Sequence, residues 1–231
     1  MQASLGAALS GVDCEWIRIG DAASMCEGYN RGLARSRGEV LIFCHDDIAV
    51  LSGPLWPQLQ AHLIALDVVG VGGSRRLVNG AWFDVGQPDI FGQIVGPDLS
   101  DNLLLMDFGY VSGANRADRM AAVDGVFLAC HRRVAEHLQF DAATFTSFHG
   151  YDVDFSFRAS LAGYNVGVAT DILLHHFSKG DWGDAFRQTL RHFQKKHEAS
   201  LSTSPPGTAT ARYTLISDVS QAMPVLLKQR T

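Results

Sequence analysis

Val40-Leu41-Ile42-Phe43-Cys44-His45-Asp46-Asp47 is the stretch whose reading decides the fold. Its apolar residues run on without alternation, as in a strand buried on both faces of a parallel sheet, and the chain then turns abruptly polar. In open α/β sheets, ligands bind just beyond the carboxyl ends of the strands, which is where His45-Asp46-Asp47 stands. Adjacent carboxylates repel each other unless hydrogen bonds, solvent or a cation offset their charge. Mg²⁺ or Mn²⁺ favours oxygen ligands and keeps positions open for phosphate or water, so the cluster reads as one side of a metal–diphosphate site. The plain alternative is a strand-end turn with Asp caps.

On the N-terminal side the pattern predicts a short helix over residues 3–9 and a strand over 15–19. A helix capped by Ser24 then runs through Met25, Tyr29, Leu33 and Ala34 to end near Gly38. On the C-terminal side a helix is expected over 54–66 and a strand over 68–71, closed by Gly72-Gly73. Residues 79–119, rich in Gly, Asp and Asn, read as short strands and a long functional loop. A strand over 123–129 contains Asp124-Gly125, and a helix follows over 131–138. Val153, Phe157 and Leu161 mark another helix, ended by Gly163. Strands over 164–170 and 172–177 come next, then an apolar stripe of Trp182, Phe186, Leu190 and Phe193. Residues 202–210, with Pro205-Pro206-Gly207, read as a linker, dividing a domain over 1–200 from a linker and tail over 201–231. Strands alternating with helices imply an α/β class, a mixed, mostly parallel sheet flanked by helices.

Composition narrows the classes of function. A hydrophobic share of 47% with 19% charged residues fits a globular domain, and a net charge of -5 offers no footprint for nucleic acid. Cys14, Cys26, Cys44 and Cys130 form no C-x-x-C pair, pointing to reduced thiols in a cytoplasmic protein. Residues 1–10 lack a signal-peptide pattern, and no apolar run is long enough to span a bilayer. Arg187, Arg191, Lys195 and Lys196 lie off the apolar stripe, so docking at a membrane surface is the alternative to packing on the core.

Two further clusters carry chemistry. Phe148-His149-Gly150-Tyr151-Asp152-Val153-Asp154 leads into the helix bearing Arg158. Asp152 there is either an ordinary cap at a helix N-terminus or a general base facing the ligand edge of the sheet. His175-His176-Phe177-Ser178-Lys179-Gly180 places paired imidazoles at a strand end, as structural residues or as ligands of a metal or phosphate.

The order of these pieces is more specific than any one of them. Asp21, Asn30-x-Gly32, Gly38-Glu39, the apolar strand, His45-x-Asp47, Asp124-Gly125, Phe140-Asp141, Tyr151-Asp152-x-Asp154, Arg158, Gly163-Tyr164 and the His pair follow one another. This progression, over roughly residues 13 to 182, resembles family-2 glycosyltransferases of the GT-A fold. It looks closest to the branch grouped with a streptomycin-biosynthesis-like domain, whose pattern favours His-x-Asp after the strand. The resemblance implies that Asp47, the last carboxylate of the family's D-x-D motif, binds Mn²⁺ or Mg²⁺, with His45 in place of the first Asp. It makes Asp152 the catalytic base, with Tyr151 replacing the family's Glu, and His176 or His175 the late metal or phosphate contact. It assigns Asp21 to the nucleoside, Asn30 and Asp46 to the donor, and Asp124 and Gly125 to the sugar and acceptor.

The activity so implied is metal-dependent, inverting transfer of a sugar from a nucleoside-diphosphate sugar to a hydroxyl of a saccharide, a lipid-linked acceptor or a small molecule. The alternatives are a catalytically degenerate nucleotide-sugar-binding or regulatory module, and a metal-dependent nucleotidyltransferase or phosphohydrolase. The family opens with a further apolar strand, whereas Met1 stands inside what corresponds to the following helix. The expectation is therefore an N-terminally truncated domain with an exposed sheet edge, for which a homodimer across that edge is one remedy.

Overall fold

The structure, a computed structural model, describes residues 2–230, with side chains described for 4–228. Met1, whose place relative to the first helix was an expectation of the sequence, lies outside them. The chain opens with α1 (Gln2–Ala8), α2 (Met25–Arg35), β1 (Val40–Cys44), β2 (Ile48–Val50) and α3 (Leu55–Leu63). Short strands β3 (Val68–Gly70) and β4 (Gly72–Ser74) precede the longer β5 (Ile90–Pro97) and β6 (Leu103–Gly109). Next are β7 (Arg116–Asp118), β8 (Ala122–Val123), β9 (Phe127–His131), α4 (Arg132–Leu138) and α5 (Tyr151–Leu161). The chain closes with β10 (Val166–Ala169), β11 (Leu174–His176), α6 (Asp184–His197), β12 (Arg212–Leu215) and α7 (Ala222–Arg230).

The mixed α/β architecture expected from the sequence is present, with helices flanking two mixed sheets. One sheet has the order β1-β9-β3-β10-β7; the other runs β12-β6-β5-β11-β2, with β4 bridging β5 and β8. Antiparallel pairing predominates over the mostly parallel arrangement anticipated: among the described residues only β3 with β10 and β5 with β11 run parallel. β1, whose apolar run reads as a central strand, instead lies at the end of its sheet, paired with β9 alone among the described strands. Its outer side faces a large cavity that residues 12–20 line from across the gap. Those residues form no strand, correcting the expectation for 15–19. Glu15 holds them by accepting backbone N–H bonds from Arg37 and Gly38.

Local physics explains most other elements. The Ser24 hydroxyl accepts from Glu27 N–H (3.2 Å) to start α2, and Gly163, at φ +87, follows the end of α5. Gly72-Gly73 does not close a strand but begins β4. The expected long loop over 79–119 holds the β5–β6 hairpin, whose strands are the longest in the molecule. Its turn is an Asx motif in which Asp98 Oδ1 accepts from Ser100 and Asn102 N–H, both at 2.8 Å. The expected strand over 123–129 is split into β8 and β9, and the break exposes Asp124-Gly125-Val126 to other partners.

The chain beyond residue 200 is strapped to the body. Arg76 donates to the Ser204 and Pro205 carbonyls, β12 pairs with β6, and Ile216, Ala222 and Leu226 share a buried cluster with Val95 and Leu105. Phe193 of α6 is buried in the main core, Leu190 lies against Gly80 and Lys196 is bound to Asp141 and Asp154, so this helix packs on the body through its C-terminal half. No helix among the described residues is long and apolar enough to cross a membrane.

Candidate active site

β1 delivers His45 to one wall of the cavity, where His45 N–H bonds the Val126 carbonyl (3.2 Å). β2 pairs antiparallel with β11, placing His176 opposite Ile48, and Phe177 N–H bonds the Asp47 carbonyl (2.9 Å). This pairing brings residues some 130 positions apart into contact. His176 Nε2 lies 3.1 Å from His45 Nδ1 and 3.2 Å from Asp47 Oδ1, while His45 Nδ1 and Asp47 Oδ1 are 3.9 Å apart. One ligand atom from each of the three lies within 4.8 Å of the others. Successive strand residues face opposite sides. His175 accordingly turns away to pack on the Phe177 ring and is not among the residues lining the cavity.

The three side chains suit a divalent ion. His45 Nε2 lies 2.8 Å from the Tyr151 hydroxyl, which itself donates to the Gly125 carbonyl (3.2 Å). That geometry assigns the His45 proton to Nε2 and leaves Nδ1 as a lone pair aimed at His176 Nε2. Two ring nitrogens and a carboxylate oxygen meeting so closely need a proton or a cation between them. Burial, with His176 adding to it against the pull of Asp124, holds His45 below its ordinary pKa and favours the neutral, ligating form. Burial opposes ionisation of Asp47, but the Ser178 hydroxyl and the two imidazoles outweigh it and keep that carboxyl below its usual range.

The carboxylate pair is built differently. α5 begins at Gly150, whose φ of +76 and close approach to Thr189 and Phe145 leave no room for a side chain. Asp152, in the first turn, does not merely cap its own helix: its Oδ2 accepts from Gly125 N–H (2.7 Å) in the break between β8 and β9. Gly125 permits that approach, because a β-carbon there would collide with the Tyr151 hydroxyl. Asp124 accepts from Val126 N–H (2.8 Å) and from Trp82 Nε1–H (2.7 Å). Burial first, and the Asp124 charge second, push Asp152 up to about 7 despite its place at a helix N-terminus.

His45, Asp46, Asp47, His176, Asp124, Gly125 and Asp152 all line one open cavity of about 2170 Å³. Asp21 and Asn30 are not among the lining residues. Asp21 is bound to Arg31 (2.7 Å), and Asn30 ties α2 to Phe140 by donating to its carbonyl (2.8 Å) and accepting from its N–H (2.9 Å). Sequence reasoning missed Trp82, which stands beside Phe83 in an aperiodic stretch, as the partner of Asp124. Tyr151 was read as a substitution for Glu, whereas its hydroxyl links His45 to Gly125, joining the two halves of the site.

The model of a family described as glycosyltransferase-like matches residues 7–198. The chain belongs to that family. Membership supports glycosyl transfer as the class of activity, and the mixed α/β fold agrees with a GT-A-like glycosyltransferase. Such a family implies a nucleotide-sugar donor and an acceptor, and GT-A-like members often use a divalent metal, for which His45, Asp47 and His176 are a candidate site. Comparison with curated proteins gives no match.

Proposed function

We propose that this glycosyltransferase-like chain moves a sugar from a nucleoside-diphosphate sugar to a hydroxyl acceptor with inversion, and that His45, Asp47 and His176 hold the metal. The single observation that carries the reading is the opening of this cluster and of the high-pKa Asp152 onto one cavity. A divalent ion held there supplies charge neutralisation for the departing diphosphate. Two imidazole nitrogens beside one carboxylate oxygen are a softer set than the oxygen cage Mg²⁺ prefers, so Mn²⁺ is the better fit of the expected pair. Tyr151 orients the His45 ring, as outer partners of ligating histidines do.

Asp152 takes the acceptor's proton as the hydroxyl oxygen bonds to the anomeric carbon. The bond from that carbon to the diphosphate breaks on the opposite face, and the nucleoside diphosphate leaves. Asp124 keeps the base poised near neutrality, and Gly125 N–H fixes its orientation. Calorimetry with Mn²⁺ and a nucleoside-diphosphate panel tests the donor half. Asp47→Ala and His176→Ala should each abolish metal-dependent binding, whereas His175→Ala should leave it intact; equal loss in all three would remove the assignment.

A second reading, a module that binds the donor without transferring the sugar, is favoured by the open edge of β1 on the same cavity. Metal-dependent nucleotide binding with no nucleoside diphosphate released across a broad acceptor panel would select it. Release of pyrophosphate instead would select a nucleotidyltransferase.

A further inference from the structure

A belt of aromatic rings runs from the carboxylate pair to the surface. Trp82, whose Nε1–H bonds Asp124, meets Phe83 at 5.7 Å between ring centroids; Phe83 meets Trp182 at 5.3 Å, and Trp182 meets Phe186 at 4.9 Å. Phe186 in turn meets His149 at 5.7 Å, three residues before Asp152. Neighbouring rings are near perpendicular, at 79 to 88°, so edge-to-face contacts fix their orientation before any ligand arrives. Trp182 nevertheless remains 51% exposed, and it lines the catalytic cavity together with Phe83 and Phe186. A positioned indole that is half-exposed on the wall of the same cavity as a titratable carboxylate, with Gly180 the chain's close neighbour on the ring, offers a surface on which a ligand can stack.

The surrounding charges define what stacks there. Asp124, Asp152 and Asp181 are the neighbouring carboxylates in the cavity wall. The cations beside Trp182 are engaged: Arg187 by Asp184 (2.6 Å) and by the Trp182 carbonyl (3.0 Å), and Lys179 of the cavity wall by Asp101 (2.9 Å) and by the Leu99 carbonyl (3.1 Å). An anionic headgroup or phosphate gains little in such a setting, whereas a neutral polyhydroxyl ring fits it. Its C–H face carries partial positive charge toward the negative face of an aromatic ring, and its rim of hydroxyls can donate to carboxylates.

We propose that Trp182, backed by Phe83 and Phe186, is an acceptor subsite that stacks a neutral sugar ring, so that the acceptor is a saccharide. The proposal rests on the transfer reading above and narrows its acceptor to one class.

The test is ligand-observed saturation-transfer NMR on the full chain, with methyl glycosides and disaccharides of gluco, galacto and manno configuration, in parallel with anionic phospholipid vesicles. At least one saccharide should bind, at least about tenfold more weakly to Trp182→Ala, and within about threefold of the original affinity to Trp182→Phe. No binding by any saccharide, undiminished binding by Trp182→Ala, or Trp182-dependent vesicle binding in place of saccharide binding would overturn the proposal. The Mn²⁺–nucleotide titration separates the two readings. Saccharide binding without metal-dependent nucleotide binding removes the transfer reading and keeps the subsite; the reverse result does the opposite.

Discussion

Asp47 and Asp152 are the same side chain in one cavity, yet their surroundings drive them in opposite directions. Asp47 is partly buried, faces two imidazoles and a hydroxyl, and is held in the ionised form. Asp152, also half-buried in the cavity wall, is crowded by protein atoms and faces another carboxylate, and its pKa rises to about 7. On the function proposed above, the difference divides the labour of the site: a carboxylate that ionises readily suits a ligand, and one near neutrality suits a proton acceptor. The construction differs as well. Strand pairing of β2 with β11 assembles the candidate metal half, while a helix start pressed against a glycine break assembles the candidate base half.

The most forceful way to break this contrast is Asp152→Asn. It should lower turnover by about 10²–10⁴-fold while leaving metal-dependent donor binding nearly unchanged. Turnover followed as nucleoside diphosphate release, alongside calorimetry of donor binding, checks both halves, and full activity would make Asp152 structural.

A smaller effect sharpens the electrostatic claim. The base acts as its carboxylate, so kcat/KM should climb with pH and level off above about 7. Asp124→Asn removes a like charge that favours the protonated form, so the acid limb should move to lower pH. A pH–rate profile of the two proteins would show it; an unmoved limb would place the titration elsewhere.

The smallest effect concerns the link between the halves. Tyr151→Phe strips a buried hydroxyl from His45 and from the Gly125 carbonyl, and should cost about 1–3 kcal/mol of stability in denaturant unfolding. It should also weaken Mn²⁺ binding, since His45 loses the partner that fixes its ring.

Much of this was legible before any coordinates. Ser24, Gly163 and the periodic apolar residues of α2, α3, α4 and α5 act over a few positions, so capping and spacing suffice to place those helices. The β5–β6 hairpin was not legible, because Leu103, Leu104, Leu105 and Met106 do not alternate with polar residues and the turn at Asp98 is an Asx motif among many Asp and Asn. Trp182 and Phe186 read as members of a core stripe. Only Phe193 of that stripe is fully buried, and the stripe's first residue precedes α6 altogether.

The sequence by itself determined which residue types stand at the strand ends and helix starts, and their order identified the family, since both are written in local pattern. The tertiary structure alone decided that His176 rather than His175 meets Asp47, that Asn30 and Asp21 stay outside the cavity lining, and that Asp152 faces Asp124. Strand register and the break between β8 and β9 set those choices. They depend on contacts between segments distant along the chain, which no local pattern encodes.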